Sequence, residues 1–201
     1  MANTGLLFIP DISGFTHFVA NIELRHSQQA IQELLELLID NNDMDLEISE
    51  VEGDAILFFK FGDSFQLSEI YHQVEKMFSA FHQKLKVYEK INTCDCKACM
   101  SVMNLTLKIV THYGEFTSYK IKNFHHQLIG KDVITAHQLL KNDIDEHEYW
   151  LITTSLSNGN TPDCFTDWMK WETSTKKTED GEIPFHYAQL KELKKDLNAL
   201  L

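Results

Sequence analysis

The sequence predicts an α+β fold built on a ferredoxin-like βαββαβ core. One observation is the order in which strand-like and helix-like patterns of apolar residues follow one another. Short apolar or alternating runs are typical of strands. They are separated by two stretches in which apolar residues recur every three or four positions, as in amphipathic helices. The other is the pair Gly53-Asp54, which suits a tight turn between two strand-like runs. The elements follow one another in the order of the βαββαβ unit.

The core elements rest on simple patterns. The first strand is a short apolar run, and the two helices carry apolar stripes at helical spacing, the second ending near Leu85. The last strand of the unit alternates Leu105, Leu107 and Ile109 with more polar neighbours. The predicted core elements are strand 6–10, helix 28–39, strands 46–51 and 55–60, helix 68–90 and strand 104–112.

The same patterns predict five further elements, at 116–121, 131–141, 148–153, 168–172 and 184–190, of which the second is a helix and the others are strands. The polar segment TKKTEDGE, at 175–182, is predicted to be a solvated hairpin loop. Because no linker or repeat interrupts the chain, we expect a single domain over 1–201, with its core at about 5–153 and additional C-terminal strands at about 164–190.

Composition excludes several classes of partner. The chain has 201 residues with a formal net charge of −12, which disfavours a nucleic acid or an anionic membrane surface. Its apolar runs are shorter than the roughly 18 residues that a membrane span needs, and its first residues lack a signal-peptide pattern. We therefore expect a cytoplasmic protein with no membrane or nucleic-acid partner.

Two aspartates carry the candidate chemistry. Asp11 is predicted at the end of the first strand and Asp54 at the hairpin turn that enters the third strand. These two strands are neighbours in a βαββαβ sheet, so the two carboxylates converge and repel each other unless a cation lies between them. Carboxylate oxygens suit Mg²⁺ or Mn²⁺, and backbone carbonyls near Ile12 would complete the shell. The alternative is that each aspartate caps a local turn.

The chain resembles a divergent branch of the class III nucleotidyl cyclases, the adenylate and guanylate cyclase catalytic domains. The G-D of their hairpin is matched by Gly53 and Asp54, and the segments LKIVTHYGE and IGKDVITAHQLL are similar to later elements of that family. The residues that match the D-I-x-G-F-T element of the family are Asp11, Ile12, Gly14, Phe15 and Thr16.

The resemblance implies a cyclase fold and a head-to-tail homodimer. One subunit supplies the aspartates for two divalent ions, and the partner supplies an asparagine and an arginine. This chain has Ile134 in place of that asparagine and Gln138 in place of that arginine, while His137 is one residue away and is expected to point elsewhere. Loss of a charge-stabilising arginine in phosphoryl chemistry costs about 10³-fold or more.

The base-reading positions are mixed. Glu50 matches the glutamate of guanine-specific cyclases, whereas Gln127 matches neither the adenine-type aspartate nor the guanine-type cysteine. With Gly14, Phe15 and Thr16 from the first motif, these two residues are the candidate ligand-binding set.

A cysteine cluster is the candidate second metal site. Cys94, Cys96 and Cys99 are the three cysteines of CDCKAC, a spacing that suits Zn²⁺ if a fourth ligand is available. Candidates for that ligand are Cys164, His125 and His126. The alternative is a reduced loop whose thiols pack or form an incidental disulfide.

Three functions stay open. The first is a divergent cyclase-like domain that binds a nucleotide or another small phosphorylated ligand through divalent metal, with weak or absent turnover. The second is an active purine nucleotide cyclase, alone or as a heterodimer with a complementary chain. The third is a non-enzymatic, metal-binding dimeric protein for signalling or structure. The first is favoured because the metal-binding motifs are present and the transition-state asparagine and arginine are missing.

Overall fold

A computed structural model describes residues 3–15, 18, 24–91, 101–120, 122, 126–179 and 181–195. It confirms a mixed α+β fold built around an eight-stranded sheet. The strands are β1 (Asn3–Ser13), β2 (Glu47–Glu52), β3 (Ala55–Phe61), β4 (Thr106–Lys120), β5 (His126–Ile129), β6 (Tyr149–Thr153), β7 (Trp171–Thr178) and β8 (Gly181–Gln189). The helices are α1 (Leu24–Asp40), α2 (Leu67–Ile91), a 3₁₀ turn (Val102–Asn104) and α3 (Lys131–Leu140).

The sheet has the order β2-β3-β1-β4-β6-β8-β7, and β5 pairs with β4 off this path. The β4–β6 pair is parallel and the other pairs are antiparallel. Strand β1 therefore lies between β3 and β4, which confirms that the first and third strands are neighbours. Strands β8 and β7 extend the same sheet beyond the βαββαβ core.

Two hydrophobic layers cover the two faces of the sheet. Successive side chains of a strand point to opposite faces, so Leu6 and Phe8 of β1 join the core under α1 and α2. Leu7 and Ile9 join the core under α3. Because both faces of β1 are buried along its middle, residues 6–10 are all apolar. The predicted stripe of α2 is confirmed, since it is buried in the first core as Ile70, Val74, Met77, Phe78, Phe81 and Leu85.

Two predicted boundaries differ at the strands that carry the site. Strand β1 continues to Ser13, so Asp11 lies within the strand and not at its end. The two strands predicted at 104–112 and 116–121 are one continuous strand, β4, that runs through Gly114. A Cβ at Gly114 would lie 2.2 Å from Cγ of Asp132. Glycine is thus required there for the close approach of α3, and it does not mark a break.

The C-terminal hairpin corrects another prediction. TKKTEDGE is not a long loop, because β7 continues to Thr178 and β8 begins at Gly181, and these two residues pair. Residues 172–175 of β7 are all exposed, so a polar sequence is compatible with this edge strand. Helices long and apolar enough to span a membrane do not occur in the described part of the chain.

Candidate functional site

Strand pairing brings the two aspartates together. Asp11 on β1 is paired with Ala55, the first residue of β3, and Asp54 occupies the turn immediately before it. The backbone amide of Ile12 donates a hydrogen bond to the carbonyl oxygen of Asp54 at 3.0 Å, which fastens this turn to β1. The side chain of Ile12 itself is fully buried in the core. Asp11 and Asp54 therefore lie near the same end of the paired strands β1 and β3.

The environment of these carboxylates is short of positive charge. Burial raises the pKa of Asp11 to about 6, an increase that nearby Lys108 opposes and the Asp54 carboxylate reinforces. Burial also raises the pKa of Asp54, against the effects of a backbone hydrogen bond and of Lys108. A cation beside the pair would stabilise both ionised forms. The two carboxylates, which line an open cleft, are oxygen donors of the kind that Mg²⁺ or Mn²⁺ prefers.

Lys108 is the residue at this site that sequence reasoning missed. It is paired with Asp11 in the β1–β4 register, and its Nζ lies 3.6 Å from Oδ1 of Asp11. The same ammonium donates to the carbonyl oxygen of Leu140, at 3.1 Å, at the C-terminal end of α3. Both side chains of the pair are only 13% exposed. A lysine between Leu107 and Ile109 of a predicted strand is visible in the sequence, but only the register shows which carboxylate it faces.

Asp11 and Asp54 line a cleft of about 1070 Å³ between these strand ends and α3. Ser13 lines this cleft, and its buried Oγ has no hydrogen-bond partner among the described residues. A buried hydroxyl without a partner is energetically costly, so a ligand or an ordered water at this end of the cleft would be favourable. Other residues that line the cleft are Gly14, Phe15, Glu52, Gly53, Ile134, His137, Gln138, Lys141 and His147.

The first motif is positioned by glycine. Gly14 has φ of +91°, a conformation that glycine adopts at no steric cost, and it follows β1 directly. Gly53 in the facing turn has φ of +63°, and a Cβ there would approach the ring of Phe15 at 3.9 Å. Gly14 and Phe15 therefore belong to the cleft, whereas Thr16 lies outside the described residues.

Helix α3 forms the opposite wall. Ile134 and Gln138, which stand where the resemblance places an asparagine and an arginine, both line the cleft, and Ile134 is 58% exposed. The expectation that His137 points elsewhere is wrong, because it lines the same cleft. Lys141, just beyond the helix, also lines the cleft. Neither Ile134 nor Gln138 offers the wall a positive charge.

The two base-reading candidates lie apart from the aspartates. Oε1 of Glu50 on β2 is 3.2 Å from Nε2 of His137, so this glutamate has a partner within the chain. Gln127 is on β5, opposite Tyr119 of β4, and is not among the residues that line the cleft. The structure thus brings Glu50 to the helix wall but does not bring Gln127 to the aspartates.

His112 belongs to a separate network. It is buried, with Nε2 3.0 Å from Oδ1 of Asp132 and Nδ1 2.8 Å from Oγ1 of Thr153. Asp132 also accepts a hydrogen bond from the backbone amide of Glu115 at 2.7 Å. The hydrogen bond from His112 is the main reason that the pKa of Asp132 is lowered. This network joins α3 to β4 and lines no part of the cleft.

The predicted cysteine site cannot be placed in the fold. Cys94, Cys96 and Cys99 lie outside the described residues, as does His125. Cys164 is an exposed free thiol, and His126 is on β5 with Nδ1 3.4 Å from Oγ of Ser118. Zinc at this cluster stays a prediction.

Comparison with known proteins identifies the family. Residues 31–149, more than half of the chain, match the family model described as "Protein of unknown function (DUF2652)". The chain belongs to the DUF2652 family. It is also 30% identical over 162 residues to "Uncharacterized protein Rv2561/Rv2562" of Mycobacterium tuberculosis (strain ATCC 25618 / H37Rv), covering 79% of this chain and 72% of that protein.

Solved structures show that this DUF2652 protein shares the fold of adenylyl and guanylyl cyclase domains. The adenylyl cyclase CyaB from P. aeruginosa matches with a TM-score of 0.63 at 15% identity, over 94% of each chain. The guanylate cyclase domain of RhGC from Catenaria anguillulae, in complex with GTP, matches with a TM-score of 0.62 at 15% identity, over 93% of this chain and 96% of that one. The predicted resemblance in fold is therefore confirmed.

Proposed function

We propose that this protein is a cyclase-like domain that binds a nucleoside triphosphate or another phosphorylated ligand through a divalent cation at Asp11 and Asp54, with weak or absent turnover. The observation that carries the proposal is the pair of carboxylates at one end of an open cleft, with pKa values raised by burial and Lys108 as a neighbouring cation. Mg²⁺ or Mn²⁺ held there would neutralise phosphate charge.

The residues of the chain have complementary parts in binding. Asp11 and Asp54 would hold the cation, and Lys108 would place a fixed ammonium beside it for a phosphate oxygen. The unpartnered hydroxyl of Ser13 would donate to the ligand. Gly14 and Phe15 shape the same end of the cleft. These groups recognise phosphate and metal, and none of them selects adenine over guanine.

We expect weak turnover because of the residues that α3 presents to the cleft. A transition state for phosphoryl transfer gathers negative charge, and a well-placed arginine contributes about 10³-fold or more to its stabilisation. Gln138 is neutral and Ile134 is apolar, so α3 supplies no positive charge from these two positions, and of the two only Gln138 can form a hydrogen bond. The resemblance further implies a homodimer, and a heterodimer with a complementary chain would restore the missing groups.

The test is thermal unfolding of the purified protein with ATP, GTP and the corresponding cyclic nucleotides, each with and without Mn²⁺. A ligand at 100 times its dissociation constant adds about 2.7 kcal/mol to the free energy of unfolding. We expect a Mn²⁺-dependent rise in Tm with at least one triphosphate. Asp11→Asn and Asp54→Asn should abolish it, whereas the exposed Asp143→Asn should retain it.

The outcomes separate the alternatives. A Tm that no nucleotide raises, or a rise that survives both cleft substitutions, contradicts the proposed site. A shift accompanied by robust formation of cyclic nucleotide would favour an active cyclase. Mn²⁺ binding without any effect of nucleotide would favour the non-enzymatic metal-binding protein.

A further inference from the structure

A second group of metal-ligating side chains lies where strand β2 meets helix α3, beside the cleft. Glu50 and Glu52 are two residues apart on β2 and so point to the same face of the strand. The register with β3 is irregular between Ile48 and Glu50, and such bulges redirect side chains near functional sites. The irregularity ends at Glu50, so both carboxylates lie in the regular stretch that follows it.

A histidine from another element meets these carboxylates. Nε2 of His137, on α3, lies 3.2 Å from Oε1 of Glu50, and one ligand atom from each of Glu50, Glu52 and His137 can be chosen so that all lie within 4.8 Å of one another. In a tetrahedral site with bonds of about 2.0–2.1 Å, neighbouring ligands are about 3.3 Å apart. The histidine and Glu50 already have this spacing, and Glu52 is exposed and free to rotate the remaining distance.

The chemistry of the group favours a transition-metal cation. An imidazole nitrogen with two carboxylates suits Zn²⁺ and its neighbours better than Mg²⁺, which prefers oxygen ligands alone. His137 and Glu50 are each about one-third exposed, and Glu52 and His137 line the cleft, so a bound ion would keep a position open to water or ligand. The two glutamates also outnumber the one histidine, so the group is negative without a cation.

We propose that Glu50, Glu52 and His137 form a Zn²⁺-type site that clamps β2 to α3 across the cleft. The ion would fix the two walls of the cleft relative to each other, and Glu50 would then serve as a metal ligand in place of a base-reading residue. The site is separate from the one at Asp11 and Asp54, and it stands whether or not a nucleotide binds there.

The experiment is titration of the metal-free full-length chain with Zn²⁺ by calorimetry, in a background in which Cys94, Cys96 and Cys99 are serine. His137→Gln and Glu52→Gln should each weaken Zn²⁺ binding at least tenfold. His147→Gln is the matched control, because this exposed histidine lines the same cleft outside the group of three. The double variant Asp11→Asn/Asp54→Asn should bind Zn²⁺ as the background does. Ring NMR signals of the ten histidines should show His137 perturbed by Zn²⁺.

Two results would overturn the proposal. One is equal Zn²⁺ affinity in the His137→Gln variant and in the background that lacks the three clustered cysteines, which would leave His137 and Glu50 as an ion pair only. The other is loss of Zn²⁺ binding in the aspartate double variant with no effect of His137→Gln, which would assign the ion to the aspartate pair. A Mn²⁺-dependent nucleotide effect that persists in His137→Gln would show that the two sites are independent.

Discussion

Strand β4 presents two basic side chains to helix α3, and the two have opposite relations to their carboxylate partners. His112 hydrogen-bonds Asp132 near the start of the helix, where Asp132 also accepts a backbone amide, and the pKa of Asp132 is lowered. Lys108, four residues earlier, contacts the helix end and lies 3.6 Å from Asp11, whose pKa burial raises to about 6.

The difference separates a structural carboxylate, Asp132, from a candidate cation ligand, Asp11. Asp132 has its hydrogen-bond partners in the chain, and its negative charge lies in the first turn of α3, where the helix dipole favours it. Asp11 is buried near the like charge of Asp54, and Lys108 does not fully offset the effect of burial on its pKa. It also lines an open cleft. A carboxylate that the fold leaves short of positive charge is the better candidate for binding a cation from solution.

The largest expected effect concerns Asp132, the carboxylate whose hydrogen-bond partners lie within the chain. Gly114→Ala would place a Cβ 2.2 Å from Cγ of Asp132 and force that side chain away from His112 and the Glu115 amide. We expect a loss of about 4 kcal/mol in the free energy of unfolding, from overpacking and lost hydrogen bonds together. Urea unfolding measures it.

The matched control is Gly159→Ala. Gly159 has φ of +77° and open space around it, so only backbone strain, about 1 kcal/mol, is expected there. Equal losses in the two variants would show that Asp132 moves freely and does not anchor α3.

A pH profile tests the other carboxylate. Because the pKa of Asp11 rises from 3.8 to about 6 on folding, the folded protein holds this proton more tightly than the unfolded chain. The resulting stability is fully present below about pH 4 and is lost as pH rises through about 6. In EDTA, wild type should therefore lose about 2 kcal/mol relative to Asp11→Asn between pH 4 and pH 7.

This comparison is measured as the difference between two urea-unfolding curves at each pH, so that groups common to both proteins cancel. A difference that stays flat from pH 4 to pH 7 would mean that Asp11 is well compensated, as Asp132 is. The proposed difference between Asp11 and Asp132 would then be contradicted.

The smallest expected effect is that of replacing Lys108, which should change the affinities for two ligands in opposite directions. Lys108→Met removes a cation from the aspartate pair, so Mn²⁺ alone should bind more tightly, whereas Mn²⁺-tripolyphosphate should bind more weakly. We expect about tenfold in each direction, or about 1.4 kcal/mol. Calorimetric titration measures both affinities.

Lys141→Gln removes a positive charge from the same cleft without removing the ion pair to Asp11. It should change both affinities less than Lys108→Met does. A uniform weakening of both ligands by Lys108→Met would indicate that this lysine supports the fold of the site and not its charge balance.

The sequence by itself determined the βαββαβ order, the apolar stripe of α2 and the place of Asp54 in the hairpin turn, because these depend on periodicity and on a turn between adjacent elements. It placed Asp11 at the end of the first strand, whereas β1 continues to Ser13. Asp54 was placed correctly in the hairpin turn because Gly53 can adopt a positive φ there. The single-domain organisation, the homodimer and the zinc at CDCKAC remain predictions.

Only the tertiary structure decided which distant residues face one another. Lys108 meets Asp11 through the β1–β4 register, and His137 meets Glu50 through the packing of α3 against the sheet. The glycine within β4 at position 114 is explained by the close approach of Asp132, 18 positions later in the chain. Periodicity assigns a side chain to a face of its own element, but the register and the docking angle between elements are set by the packing of both cores. Strand pairing and helix docking therefore formed the cleft around the two aspartates that the sequence had singled out.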